Sequence, residues 1–230
     1  MDLIAGGIVE AFRLIVSGDP EIVEITLLSL KVSGGATLIS TVIGVTAGTA
    51  VALNEFPGKK FIVSVINTGM GLPPVVVGLW VTIFIWRSGP LGMLGLLYTP
   101  TAIVIAQVVI AAPIVTGISM AAMQNIPEKM RFQILSLGAN RLQYLLLLVR
   151  EARLPLLAAV MAGFGGVLSE VGASIMVGGN IKGYSRVLTT ATVMETGRGN
   201  FEMAMALGMV LLALSFIVNY ILTSLQQRIR

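Results

Sequence analysis

Five apolar stretches, each long enough to cross a bilayer as a helix, constrain this chain more than any other feature. Residues 32–53, 61–86, 88–127 and 203–227 carry no charge, and 154–181 carries one, Glu170. A hydrocarbon layer of about 30 Å takes roughly 20 residues of helix. The runs are continuous rather than alternating and about twice the length of a barrel strand, so they read as helices and not as a membrane β-barrel. Gly89-Pro90 and Tyr98-Thr99-Pro100 confine the third helix to the later part of its run. The expected spans lie at about 25–54, 61–86, 101–123, 154–177 and 203–226 of one 1–230 domain. The fold class expected is an all-α membrane protein.

Composition removes most other functions. Charged residues make up 11% of the 230, less than half of the roughly 25% usual in soluble domains. The chain has no Cys and no His, which excludes disulfides, a thiol nucleophile and thiolate metal sites, and removes the commonest general base and metal ligand. No carboxylate pair or polar triad stands at a catalytic spacing, so no catalytic or metal residue is expected and a membrane-embedded enzyme is disfavoured. A G-x-x-x-x-G-K-[ST] phosphate loop is missing, so any ATP is expected on a separate chain. Lys and Arg are scattered without a run, a poor track for nucleic acid.

The positive-inside rule gives an orientation. With the C-terminus cytoplasmic, Lys59, Lys60, Lys129, Arg131, Arg141, Arg150, Arg153, Arg228 and Arg230 face the cytoplasm. Arg13, Arg87, Lys182, Arg186 and Arg198 face outward, nine against five. The N-terminus is then outside. Asp2 and Glu10 stand where a signal peptide would be positive, so residues 4–16 read as a short amphipathic segment before the Gly18-Asp19-Pro20 turn.

Two loops carry structure of their own. Residues 124–153 read as two short helices with apolar faces, Ile134, Leu135 and Leu137 on one and Leu142, Leu145, Leu146 and Val149 on the other, turning at Gly138. Such an exposed apolar elbow needs a partner. Outside, residues 186–196 could form one amphipathic helix between Gly-rich ends.

Within the spans, Pro73-Pro74 removes two backbone donors and is expected to kink the second helix, as helices lining a cavity commonly do. A static bend that improves packing is the alternative. Gly44 and Gly48 form a GxxxG pair suited to close helix packing. Glu170 is the one ionisable residue in these runs, and burying it in lipid is costly, so it must face protein or water. It reads either as a gate or lining group, or as a structural carboxylate that fixes the fourth span or accepts hydrogen bonds from backbone at a helix break. Counting from Gly178-Gly179, it is expected about two helical turns inside the outer end of that span.

The segment Pro127-Glu128-Lys129-Met130-Arg131-Phe132-Gln133-Ile134-Leu135-Ser136-Leu137-Gly138-Ala139-Asn140-Arg141 resembles the cytoplasmic coupling loop of ABC importer membrane subunits. There a Pro precedes Glu-Ala-Ala, three residues, a Gly and a later Leu-Pro. Pro127 and Gly138 hold that spacing and Leu137-Gly138-Ala139 matches, whereas Phe132, Gln133 and Ile134 replace Glu-Ala-Ala and Leu154-Pro155 comes four residues late. Ser169-Glu170-Val171-Gly172-Ala173 and Gly178-Gly179-Asn180 resemble a segment of molybdate and tungstate importer subunits, and the longer loop with Leu188-Thr189-Thr190 is closest to the tungstate branch.

The resemblance implies a MetI-like permease fold and a subunit forming the translocation path for an oxyanion such as tungstate, with molybdate or sulfate as alternatives in the same family. An ion-gradient-driven transporter or channel is the alternative from another class. Implied partners are a second copy of the chain, two cytoplasmic ATPase subunits holding ATP and Mg, an extracytoplasmic oxyanion-binding protein, and the lipid of the inner (plasma) membrane. Pro127, Glu128, Arg131, Gln133, Leu137, Gly138, Ala139, Asn140 and Arg141 would couple to the ATPase. Pro73, Pro74, Glu170, Gly172, Gly178, Gly179 and Asn180 would belong to the path or its gate.

Overall fold

A computed structural model describes residues 2–228; Arg230, and the side chains at 2–5 and 10, lie outside the described residues. In chain order the helices are α1 (Asp2–Val16), α2 (Pro20–Leu53), α3 (Lys59–Met70), α4 (Pro74–Ile85), α5 (Pro100–Gln124), α6 (Glu128–Ser136), α7 (Arg141–Glu151), α8 (Arg153–Leu168), α9 (Gly172–Gly178), α10 (Leu188–Gly197) and α11 (Phe201–Arg228), with a short 3-10 turn at Gly92–Leu94. Among the described residues α2, α5 and α11 are each long and apolar enough to cross a membrane, and the count rises to five if the bent pairs α3–α4 and α8–α9 each make one span.

Local chemistry sets the helix ends. Gly18 turns the chain at φ 65°. Asp19 Oδ1 then accepts from the Glu21 and Ile22 N–H groups at 2.9 and 3.2 Å, and Pro20 supplies a first-turn residue with no N–H to satisfy. This start signal makes α2 34 residues long, so it begins earlier than the apolar run and takes in Glu21, Glu24 and the exposed Lys31. At about 1.5 Å per residue it exceeds a bilayer core by several turns.

The centre of the molecule is the packing of α2 on α5. A Cβ on Gly44 would lie 2.6 Å from Val115 Cβ, and one on Gly48 2.6 Å from the Thr116 carbonyl oxygen. The GxxxG pair thus lets two backbones approach where no larger residue fits. Three apolar clusters form among the described residues. One joins α4, α5 and α9 through Val77, Val81, Ile103, Ala106, Ala173 and Val177. Another joins the end of α5 to the 124–153 segment through Met120, Met123, Ile134, Leu148 and Leu156. In the last, Ala11 of α1 is buried with Ile22, Leu188, Ala191 and Leu207, leaving Val9, Phe12 and Val16 of α1 exposed.

Both bent spans depart from continuous helices. At Gly71-Leu72-Pro73 the second turns through 104°, because neither proline donates a backbone hydrogen bond and the residue before a proline is pushed out of the α region. The fourth, expected to run unbroken to Gly178, bends by 60° between Leu168 and Gly172. Glu170 therefore sits at the break itself, not two turns inside a continuous helix. The amphipathic helix expected over 186–196 is α10, with one correction: residues 185–191 are all buried, Arg186 included, so this segment is inserted among the neighbouring helices rather than laid on them.

Candidate functional site

The 124–153 elbow is built from its ends inward. Pro127 precedes α6 with extended ψ (136°), and Glu128 opens the helix. Gly138 takes φ +80°, a conformation that L side chains rarely adopt. Asn140 then starts α7 with a capping box: its Oδ1 accepts from Gln143 N–H, and its own N–H donates to Gln143 Oε1, both at 2.9 Å. Arg131 anchors α6 by donating from Nη2 to the Met123 carbonyl at the end of α5. Ile134 and Leu148 turn inward onto α5 and α8, whereas Phe132, Leu137, Leu142 and Leu146 stand exposed, Leu137 at 88%. Glu128, Lys129, Phe132, Gln133, Ser136 and Leu137 line one shallow groove, and Gly138, Ala139 and Gln143 help to line the next. All nine residues expected to couple thus lie on one short segment, with Arg141 as the first residue of α7.

The second group is brought together by the two broken spans. Glu170 is 6% exposed. Its Oε1 accepts the Ala173 N–H at 2.8 Å, and its backbone carbonyl accepts from Thr189 Oγ1 at 2.9 Å. The carboxylate thus takes one of the free N–H groups at the start of α9, close to the positive end of that short helix. Gly172 lies against the other break: a Cβ there would stand 2.8 Å from Val75 Cγ2, one residue beyond Pro74. Gly78 is as close to Ala173, 2.7 Å to its Cα. Pro73-Pro74 and Glu170-Gly172, about a hundred residues apart in sequence, therefore meet where two interrupted helices cross.

Gly178, Gly179 and Asn180 are not part of that meeting point. They occupy the far end of α9, where Gly178 packs on Ile103 and Gly179, at φ +68°, faces Tyr98. Val177 accepts from the Tyr98 N–H at 2.8 Å. Asn180 takes φ +50° and donates from Nδ2 to Met194 Sδ at 3.1 Å.

Three participants escaped the sequence reading. Gln107 of α5, 2% exposed, donates to the Val167 carbonyl at 3.1 Å. Arg186 is buried and pairs with Glu21 of α2 at 3.1 Å, which Lys182 also meets at 2.6 Å. Ser29 accepts the Leu188 N–H at 2.7 Å, docking α10 on α2. Gln107 and Ser29 are polar residues within expected spans and Arg186 is a charge in the segment between two of them, but their partners lie 60 to 165 residues away. Among the described residues no group of His, Cys, Asp and Glu could hold a metal ion.

Comparison with known proteins places this geometry. Residues 40–230 match the family described as binding-protein-dependent transport system inner membrane component. The chain is 40% identical over 227 residues to the tungstate uptake system permease protein TupB of Peptoclostridium acidaminophilum, covering 99% of this chain and 100% of that one. To the molybdenum transport system permease protein ModB of Escherichia coli K12 it is 29% identical over 191 residues, 79% of this chain and 83% of that one. Among solved structures, the MetNI methionine ABC transporter aligns with a TM-score of 0.72 at 19% identity, over 89% of this chain and 94% of the matched chain. That likeness establishes a MetI-like permease fold.

Proposed function

This chain belongs to the family of binding-protein-dependent transport system inner membrane components, and from that premise we propose that it forms the translocation path for tungstate in an ATP-driven importer. The observation that carries the substrate is the relation to a tungstate permease along the whole of both chains, at 40% identity, against 29% over a shorter stretch for a molybdenum permease.

In this reading two copies of the chain form the path. None of the residues of α3 is buried, and only 11% of the most apolar part of α11 is, so both have faces left for a second copy and for lipid. Each elbow presents Phe132, Leu137, Leu142 and Leu146 to a cytoplasmic ATPase subunit, which holds ATP and Mg. An apolar surface of that kind is stable in water only when a partner covers it. The N-terminus lies outside and the C-terminus in the cytoplasm. An extracytoplasmic binding protein delivers the anion to the outer side.

Pro73, Pro74, Glu170 and Gly172 belong to the path or its gate. Irregular backbone at membrane depth is tolerated where it is covered by protein or lines a water-filled cavity, and two breaks meeting there are suited to both. Glu170 is a poor direct contact for an anion. Its part is to hold the start of α9, while backbone N–H groups at the breaks and nearby hydroxyls are donors of the kind a tetrahedral dianion accepts.

The test is reconstitution with the ATPase and the binding protein. ATP-dependent uptake of tungstate into proteoliposomes, in preference to molybdate and sulfate, is the expected result. Uptake driven by an ion gradient through this chain alone would overturn the reading.

A further inference from the structure

We propose that Gln107 is a positioning residue of the transport path, a clasp that fixes the break of the fourth span and thereby the placement of Glu170. The proposal rests on the transport reading for its functional meaning, and on the geometry around Val167 for its physical content.

Where α8 stops, its last carbonyls lose their helical partners, and inside a membrane protein each needs a donor. Val167 O is one of them. Glu170 N–H reaches it at a long 3.3 Å, and Gln107 Nε2 reaches it at 3.1 Å from the facing helix α5. The same amide nitrogen lies 3.5 Å from Ser33 Oγ of α2, so one side chain ties α2, α5 and α8 together beside the break. Its orientation is fixed, because Val167 O can only accept and Gln107 must turn its NH2 toward it.

On the other side of the break, Thr189 Oγ1 donates to the Glu170 carbonyl at 2.9 Å. Two side chains from α5 and α10 thus hold carbonyls three residues apart, and between those holds Glu170 reaches forward to the Ala173 N–H. Neither Gln107 nor Thr189 packs as an apolar residue would. Gln107 keeps its Oε1 buried without a partner, and a buried acceptor left unpaired is tolerated where the amide's other end is needed.

The clasp is tested with Gln107→Met, which keeps the length of the side chain and removes the amide, in the complete complex in lipid nanodiscs. Hydrogen exchange at the amides of residues 169–173 is expected to quicken about tenfold, with α2 unchanged. Thr189→Val should do the same. In the uptake assay the two losses are expected to be non-additive, the double variant being about as slow as the slower single one, because both hold one break.

Unchanged exchange at 169–173 in Gln107→Met, or losses that multiply in the double variant, overturns the proposal. If Gln107→Met does not assemble, Gln107→Asn, which keeps the amide but shortens its reach, is read in the same two ways. Exchange decides the clasp whatever anion the complex carries, so its failure and a failure of the tungstate assignment remain distinct.

Discussion

Ala173 donates its backbone N–H to Oε1 of Glu170 at 2.8 Å, so the one carboxylate within the apolar runs is spent on starting the second half of a broken span. Glu170→Gln keeps an oxygen to accept that hydrogen bond, whereas Glu170→Ala leaves the N–H unpaired, a loss of about 1 kcal/mol for an N-terminal cap of this kind. Uptake by reconstituted complexes should fall in the order wild type, Gln, Ala, with the ATPase still bound in all three. Full activity in Glu170→Ala would remove the residue from the gate.

The crossing of the two breaks depends on glycine. Gly78→Val would drive a Cβ to within 2.7 Å of Ala173 Cα, and relieving such a backbone contact costs about 1–3 kcal/mol. Gly165→Ala meets nothing within 4 Å in the last turn of α8 and should be neutral, or stabilising by up to about 1 kcal/mol. Thermal unfolding in detergent separates the two: a lower midpoint is expected for Gly78→Val alone. Equal midpoints would show that α4 and α9 are free to part.

At the elbow, Gly138 holds φ +80° with open space around it, so a side chain there strains the backbone and not the packing. Gly138→Val should disturb the α6–α7 turn by about 1–2 kcal/mol and weaken ATPase co-purification, with membrane insertion retained. A Gly138→Val complex that assembles and hydrolyses ATP like wild type during transport would take the docking role away from this turn.

Orientation is open to a direct assay because the chain has no Cys. Single cysteines at Lys59, Asn140 and Gln227 should resist a membrane-impermeant thiol reagent in intact cells, and those at Arg87 and Lys182 should label. The opposite pattern would place the elbow outside and separate it from any cytoplasmic ATPase.

Some of this architecture is local, and local features were legible in the sequence. The spans follow from uninterrupted apolar runs, since the length of a helix in lipid depends on the hydrophobicity of its own residues. Pro73-Pro74 marked its break because a proline acts on its own turn, and Gly138 marked the elbow for the same kind of reason.

What the tertiary structure decided is which breaks meet and what holds them. No proline announces the interruption at Glu170, and Gly163, Gly165 and Gly166 earlier in the span lie within unbroken α8. The bend is fixed by donors from elsewhere, Gln107 to Val167 and Thr189 to Glu170, just as the burial of Arg186 is matched by Glu21 at the opposite end of the chain. In a low-dielectric interior every freed carbonyl or buried charge must find a partner. The sequence records that such groups exist, but their partners are chosen only when distant helices come to lie side by side.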